Sequence, residues 1–140
     1  MSNMFNFKFC ILTLSLVLLS GCDLFTDYGP SYFKIRVDSF SAPDSVHVQD
    51  TLVIKFWAHV GDNACQHFWD FETLRNNNQL DLTLWGFEEN TYRNNNCLSK
   101  TVTIDGVEYR VTGLNPGTFK IIVHQKSGGT LEKTVQINPN

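Results

Sequence analysis

The 140-residue chain has no apolar run long enough to cross a membrane as a helix. Its longest such run, Phe9–Leu19, falls short of the about 20 residues that a transmembrane helix needs. Basic residues are also few, with 11 Lys and Arg against 14 Asp and Glu and a formal net charge of −3. Nucleic-acid-binding proteins usually carry clustered Lys and Arg. The composition therefore argues against a transmembrane helix and against nucleic acid as a partner.

Motifs for enzyme and metal chemistry are also missing. No Ser stands in a Gly-x-Ser-x-Gly pattern, and no Cys-x-x-Cys is present. His59 and His67 could meet Asp62 across a hairpin and bind a metal, but histidines without that role are commoner on strand surfaces. Asp70 and Glu72 share one strand face, yet paired carboxylates need a cleft to cleave a glycoside. We expect no enzyme activity, no metal and no cofactor.

The N-terminal apolar run has the length and position of the core of a secretory signal. Leu19-Ser20-Gly21-Cys22 follows it directly, with small residues before a single thiol. This segment resembles the lipid-attachment box of bacterial lipoproteins, and the resemblance covers residues 1–22. It implies cleavage before Cys22 and a diacylglyceryl thioether on the sulfur of that residue. The alternative is an ordinary secreted protein with a chance Cys.

On the lipoprotein interpretation the chain has three parts: a signal peptide (residues 1–21), a lipidated linker (residues 22–31) and a folded domain (residues 32–140). Two or more acyl chains, such as palmitate, anchor a protein stably. The linker reaches at most about 30 Å, so the domain works close to the membrane. We expect a lipid-anchored location in the bacterial cell envelope. The outer membrane is favoured, and Asp23 after the lipidated Cys keeps the inner membrane as an alternative.

Two of the four cysteines remain in the domain once Cys10 and Cys22 are assigned to the signal and the lipid box. Cys65 and Cys97 form an isolated pair in an exported chain, where oxidising conditions favour disulfides. Closing the loop between them would contribute roughly 3–4 kcal/mol to stability. We predict a structural disulfide and regard metal binding or redox catalysis as disfavoured alternatives.

Alternation of apolar and polar residues dominates the domain, whereas no window sustains the three-to-four spacing of a helix. In Thr51–His59, for example, Leu52, Ile54, Phe56 and Ala58 share one face. The predicted strands are residues 32–38, 51–59, 65–74, 80–84, 100–104, 107–112, 118–125 and 130–137, with Val46 and Val48 as a short continuation of the first. Asp105-Gly106 predicts a two-residue hairpin, residues 126–129 a second hairpin and residues 61–63 a turn. Residues 86–99 are predicted to be a polar excursion.

Eight or nine short strands would cover this apolar surface as two facing sheets. The run Leu114–Val123 resembles the start of the penultimate strand in immunoglobulin-like and fibronectin type III domains. Asp44-Ser45-Val46, followed by Asp50-Thr51-Leu52, resembles the start of bacterial immunoglobulin-like modules. These resemblances imply an all-β, immunoglobulin-like β-sandwich of about seven to nine strands. Phe119 stands where that family has a corner Tyr, so the hydroxyl bond of that corner cannot form.

Three Trp and two Asn-rich segments supply the candidate recognition residues. Trp57 and Trp85 form a platform if they are exposed, or a second small core if residues 75–99 fold over them; the strand faces of Trp69 and Trp85 are ambiguous. Arg75-Asn76-Asn77-Asn78 recurs as Arg93-Asn94-Asn95-Asn96, either as two polar turns or as a hydrogen-bonding rim. The candidate ligand-binding residues are Trp57, Trp85, Arg75, Asn77, Arg93 and Asn95.

The sequence thus predicts a lipid-anchored envelope protein that acts as a non-catalytic protein-binding or structural module. Partner contacts are expected in the excursion between Arg75 and Leu98, because loops on rigid sandwiches carry function. Two alternatives remain, a carbohydrate-binding module at the cell surface and an inhibitor of exported proteases. The expected partners are the membrane, through the lipid anchor, and an envelope protein or glycan.

Overall fold

A computed structural model describes residues 29–89 and 97–139 of the chain. Within these ranges the chain forms nine β-strands and no helix. The strands are β1 (Ser31–Lys34), β2 (Arg36–Ser41), β3 (Ser45–His47), β4 (Leu52–Asn63), β5 (Gln66–Arg75), β6 (Gln79–Glu88), β7 (Ser99–Val111), β8 (Gly117–His124) and β9 (Thr130–Asn138). The all-β prediction is confirmed.

The strands form two sheets that enclose one apolar core. The larger sheet has the order β1-β6-β8-β9-β3, with β5 also paired to β6, and the smaller sheet has the order β2-β4-β7. The core side chains come from both sheets; those that are fully buried include Leu52, Ile54, Phe56, Leu80, Leu82, Leu84, Phe119, Ile121, Val123, Val135 and Ile137. The predicted β-sandwich is therefore confirmed.

Strand β6 is the centre of the larger sheet. Antiparallel β5 pairs with β6 from Gln66↔Glu88 to Arg75↔Leu80. The other edge of β6 is shared between two strands: antiparallel β1 covers its C-terminal part and parallel β8 covers Gln79–Leu82. Because β6 has neighbours on both edges, its outward side chains lie in the middle of a broad surface.

Strand β4 shows why the sequence folds in this way. The alternating residues Leu52, Ile54, Phe56 and Ala58 are all buried, as predicted, and the residues between them face outward. The ring of Phe56 lies 5.3 Å from that of Phe71 on β5, so this strand links the two sheets through aromatic packing. Period-two burial of this kind is expected of a strand with one face on the core.

The prediction of a hairpin at Asp105-Gly106 is wrong. Strand β7 runs unbroken through these residues and pairs with β4 on both sides of them. Phe56 pairs with Val107 and Trp57 pairs with Asp105, so Gly106, with φ +69°, is the extra residue of a bulge. The 12-residue β4 is long enough to pair with both halves of β7, and that pairing replaces the local hairpin.

The other connections are close to their predicted positions. The hairpin at residues 126–129 is confirmed, with the Gln125 N–H donating to the Gly129 carbonyl at 2.8 Å. The turn predicted at residues 61–63 lies instead at 64–65, because β4 continues to Asn63. There the chain passes from the smaller to the larger sheet, so the long β4 ends where β5 begins to cover the core.

The disulfide between Cys65 and Cys97 is confirmed, with a Cα–Cα distance of 5.3 Å. It joins the turn between β4 and β5 to the residues just before β7. The polar excursion begins later than predicted, since β6 extends to Glu88. In residues 29–89 and 97–139 no helix is long and apolar enough to cross a membrane. The predicted signal peptide and Cys22 lie outside these ranges.

Candidate ligand-binding face

The outward side chains of β6 and its neighbours form an aromatic surface on the larger sheet. Leu80, Leu82 and Leu84 of β6 point into the core, which turns the alternate residues outward. The register then sets Phe87 between Tyr32 of β1 and His67 of β5, and sets Trp85 between Lys34 and Asp70. We use the name aromatic face for the surface around Tyr32, His67, Trp69, Trp85 and Phe87.

Trp69 reaches this face through a bulge in β5. Phe68 pairs with Gly86 and Asp70 pairs with Trp85, so Trp69 is an extra residue opposite β6. The bulge allows both Phe68 and Phe71 to contact the interior, with their rings 5.2 Å apart. Bulges often re-aim a side chain next to a functional site. Here the bulge leaves the indole of Trp69 on the outer surface.

The rings of the aromatic face hold one another in place. The Trp69 ring makes edge-type contacts with Tyr32 and Phe87, each at 5.5 Å between centroids, and His67 stacks on Phe87 at 5.1 Å. Despite these contacts Tyr32 is 53% exposed and Trp69 is 55% exposed. Large aromatic side chains held rigidly in water are typical of a contact surface.

Trp85 is held by polar contacts on the same face. Its Nε1–H donates to Glu72 Oε2 at 2.7 Å, and the Lys34 ammonium lies 5.6 Å from the ring centroid. The indole is only partly exposed. The indole N–H of Trp85 is therefore already bonded within the protein. Of these two indoles, Trp69 has the greater accessible surface.

Two carboxylates beside the rings retain unused acceptors. Asp70 Oδ1 accepts the backbone N–H of Phe71 at 2.8 Å, and Glu72 Oε2 accepts the indole N–H of Trp85. Within the described ranges neither carboxylate has a cation within 4 Å, and the second oxygen of each has no protein donor. These oxygens are available to a ligand that carries hydrogen-bond donors.

Two adjoining hollows follow the face along β5 and β6. The first, of about 380 Å³, is lined by Tyr32, Trp69, Asp70, Phe71, Glu72 and Trp85. The second, of about 640 Å³, is lined by Lys34, Glu72, Thr73, Leu74, Asp81, Thr83 and His124. Glu72 lines both. The aromatic end of the face therefore continues into a polar end, and both are open to solvent.

A hydrogen-bonded acid lies at the polar end. Asp81 Oδ2 accepts from Gln79 Nε2 at 2.7 Å, and Asp81 Oδ1 lies 3.0 Å from His124 Nε2. The hydrogen bond from Gln79, followed by the contact with His124, lowers the pKa of Asp81 below its ordinary value. Asp81 thus stays ionised and keeps this part of the face acidic near neutral pH.

The structure distributes the sequence-predicted residues over different surfaces. Trp85 belongs to the aromatic face, whereas Trp57 lies on the outer side of the smaller sheet, where its Nε1–H donates to Asp105 Oδ1 at 2.5 Å. Asn77 is exposed in the turn between β5 and β6. Arg93 and Asn95 lie outside the described residues. The structure therefore brings Trp85, but not Trp57, to the aromatic face.

Arg75 is engaged by the protein itself. Its two terminal nitrogens donate to the carbonyls of Thr112 and Gly113, each at 2.6 Å, and its guanidinium lies 5.8 Å from the Phe119 ring centroid. The neighbouring Asn76 accepts the backbone N–H of Asn78, as in a polar turn. These contacts match the polar-turn alternative for this segment more closely than the hydrogen-bonding rim.

Sequence reasoning missed Tyr32 and Phe87 and left Trp69 unassigned. Strict alternation cannot bring both Phe68 and Phe71 to the core, because residues three apart point to opposite sides of a regular strand. That odd spacing was the available signal of a bulge at Trp69. For Phe87 there was no such signal, since it lies in a segment predicted to be an irregular excursion.

The histidines do not gather at a metal site. His59 Nε2 lies 3.0 Å from Asp62, as the sequence suggested, but His67 Nε2 lies 3.1 Å from Glu89 instead. Among residues 29–89 and 97–139 no group of three or more His, Cys, Asp and Glu is placed to hold a metal ion. In this part of the chain His59, His67 and His124 each pair with one carboxylate, and the His47 ring contacts the Pro139 carbonyl.

Comparison of the chain with protein-family models, with curated proteins and with solved structures finds no match. Exposed rings, unused carboxylate oxygens and an open hollow are suited to binding a ligand across a surface.

Proposed function

We propose that this chain is a lipid-anchored protein of the bacterial cell envelope whose β-sandwich is a non-catalytic binding module. The aromatic face is its recognition surface. The observation that carries the proposal is the rigid placement of Trp69 and Tyr32, both more than half exposed, beside carboxylates with unused acceptors. Contiguous exposed apolar surface of this kind marks interaction sites in soluble proteins.

The position of the face fits a membrane tether. Tyr32 is ten residues beyond Cys22, so an extended linker sets the aromatic face at most about 35 Å from the lipidated sulfur. The lipid-box resemblance supplies the anchor in this proposal, and the sandwich supplies the binding surface. A binding module tethered in this way captures ligands that lie at or near the membrane surface.

The openness of the hollows supports binding without catalysis. Asp70 and Glu72 lie on one strand of a broad sheet face, where solvent reaches the ligand from the outside. General acid–base catalysis of glycoside cleavage needs two carboxylates on opposite sides of the scissile bond. Two carboxylates on one strand of an open face are better suited to holding a ligand than to cleaving it.

The anchor is tested on protein expressed in its native host. Wild-type protein should partition with membranes and begin at Cys22, with an intact mass that includes a diacylglyceryl group. Cys22→Ser should move to the aqueous fraction. Wild-type protein that is recovered from the aqueous fraction without fatty acid would refute the anchored location.

The recognition face is tested with the mature lipidated protein in detergent. Two probes are used: isolated envelope fragments and a panel of immobilised polysaccharides. At least one probe should bind the wild type and fail to bind Trp69→Ala. Arg110→Ala is the control, because the Arg110 side chain is 66% exposed on β7 of the smaller sheet, outside the aromatic face. Failure of both probes to bind the wild type, or equal binding by Trp69→Ala, would contradict this role.

A further inference from the structure

We infer that the ligand of the aromatic face is a neutral carbohydrate chain. This inference rests on the proposed function of the face, and it adds the chemical class of the ligand. Sugar rings have two kinds of surface, an apolar C–H face and a rim of hydroxyl groups. A site that binds them must present an accessible aromatic ring and, next to it, hydrogen-bond acceptors and donors.

Trp69 and Tyr32 supply the apolar half of such a site. Their edge-type contact at 5.5 Å fixes both rings while more than half of each remains exposed. A pyranose ring can therefore pack on the Trp69 indole without a rearrangement of the protein. Because the rings are already ordered, little side-chain entropy is lost on binding.

Asp70 and Glu72 supply the polar half. Each uses one carboxylate oxygen within the protein, on the Phe71 N–H and the Trp85 indole respectively, and both residues line the hollow. Sugar hydroxyls are donors that match these acceptors. The hydrogen bond from the Trp85 indole holds the Glu72 carboxylate beside the rings.

The charge of the face selects against anionic ligands. Asp70, Glu72 and Asp81 line the two hollows, and the basic groups on the same lining are Lys34 and His124, the latter in contact with Asp81. An acidic surface repels uronate chains and the phosphates of lipid headgroups. A neutral glycan carries hydroxyl donors without this penalty.

The dimensions favour a chain of sugars over a protein partner. Only two rings of the aromatic face, Tyr32 and Trp69, are more than half exposed. A stable protein interface needs a larger contact area, about 800 Å² on each partner. The two hollows share Glu72 and extend from Trp85 to Asp81 along β6, which at about 3.3 Å per residue is roughly 13 Å. A short oligosaccharide segment fits this length.

Affinity electrophoresis of the mature lipidated protein tests the inference. The gels contain xylan, a soluble β-glucan, galactomannan or polygalacturonate. At least one neutral polysaccharide should retard the wild type and Arg110→Ala, while Trp69→Ala should bind it about tenfold more weakly or worse. Polygalacturonate should retard the wild type less than that neutral polysaccharide. A melting curve shows that Trp69→Ala is folded, as expected for a substitution on an exposed bulge.

Isolated envelope fragments separate the inference from the proposed function. Binding that depends on Trp69, survives protease treatment of the fragments and disappears after periodate oxidation supports a glycan. Binding that depends on Trp69 but is lost with protease, while no neutral polysaccharide binds, overturns the glycan and leaves the recognition face intact. Stronger binding to polygalacturonate than to every neutral polysaccharide also overturns it. No Trp69-dependent binding to either probe refutes both proposals.

Discussion

Gly86, the one glycine of β6, has no room for a side chain. A Cβ there would lie 2.7 Å from the Phe33 ring and 2.9 Å from the backbone carbonyl of His67. Because a backbone atom is among these neighbours, repacking of a side chain alone cannot relieve the clash. We expect Gly86→Ala to lower the free energy of unfolding by about 1–3 kcal/mol, as measured by urea denaturation.

Gly129 provides the control for Gly86. A Cβ there would meet no atom within 4 Å, and its φ lies outside the left-handed region. We expect Gly129→Ala to be neutral or to stabilise the protein by up to about 1 kcal/mol, because Ala reduces the entropy of the unfolded chain. Equal stability of the two variants would show that Phe33 does not pack over Gly86 as described.

Asp81 gives a prediction about pH. Its pKa is lowered in the folded protein by the Gln79 hydrogen bond and then by His124, so its carboxylate stabilises the fold above the ordinary Asp pKa of about 3.8. That contribution is lost as the pH falls through the lowered value. We expect Asp81→Asn to cost at most about 1 kcal/mol at pH 6, because the pair is partly exposed.

Urea denaturation of wild type and Asp81→Asn from pH 6 to pH 3 checks this dependence. The difference in unfolding free energy between the two proteins should shrink toward zero below pH 3.8. A difference that grows on acidification would mean that the folded protein stabilises the protonated carboxyl instead.

Arg75 joins elements that are distant in sequence. It lies at the end of β5, and its bonds to the Thr112 and Gly113 carbonyls fasten the β5–β6 turn to the connection between β7 and β8. Each of these bonds has a charged donor, which makes it stronger than a neutral one. We expect Arg75→Ala to cost about 1–2 kcal/mol in thermal or urea unfolding.

Arg110 is the matched control for Arg75. It is an exposed arginine on β7 that pairs with Glu108 of the same strand. Arg110→Ala should therefore change the unfolding free energy by less than about 0.5 kcal/mol. Arg75→Lys should fall between the two Ala variants, since an ammonium lacks the fork that reaches two carbonyls. An Arg75→Ala effect no larger than that of Arg110→Ala would contradict the structural role.

At the level of the strand, local patterns predicted burial well and connections less well. Strict alternation in β4 identified its four buried residues, because each side chain's direction follows from strand geometry alone. The Asp105-Gly106 pair was assigned to a hairpin because its local preference fits that turn. In the structure the preference of Gly for positive φ is used in a bulge instead, because pairing with β4 continues on both sides of Gly106.

The aromatic face could be predicted in part from the sequence. Asp70 and Glu72 were assigned to one strand face, and that assignment holds. Trp57 was expected to join Trp85, but the two lie on different sheets. Which strands become neighbours depends on long-range pairing, and periodicity within one strand contains no information about it.

At the level of the whole molecule, the neighbours of β6 create the site. Tyr32 meets Trp69 because β1 pairs with one edge of β6 and β5 with the other, although these strands are far apart in the chain. Ile35 follows β1 and donates its N–H to the Leu84 carbonyl before the chain crosses to the smaller sheet as β2. Because β1 ends there, the remaining edge of β6 can pair with β8. The segment from β1 to β2 thus supplies an aromatic ring to one sheet and an edge strand to the other.

The disulfide gives the prediction for the molecule as a whole. The loop between Cys65 and Cys97 contains β5 and β6, the two strands that carry most of the aromatic face. Its closure restricts the unfolded chain, and the loop-entropy estimate is roughly 3–4 kcal/mol. We expect Cys65→Ala/Cys97→Ala to lose about that much unfolding free energy in urea, and reductant to destabilise the wild type equally while leaving the double variant unchanged. Because the disulfide stabilises the protein by restricting its unfolded state, the double variant should still bind its ligand in a Trp69-dependent manner below its melting temperature. Loss of binding while the variant remains folded would mean that the disulfide also shapes the aromatic face.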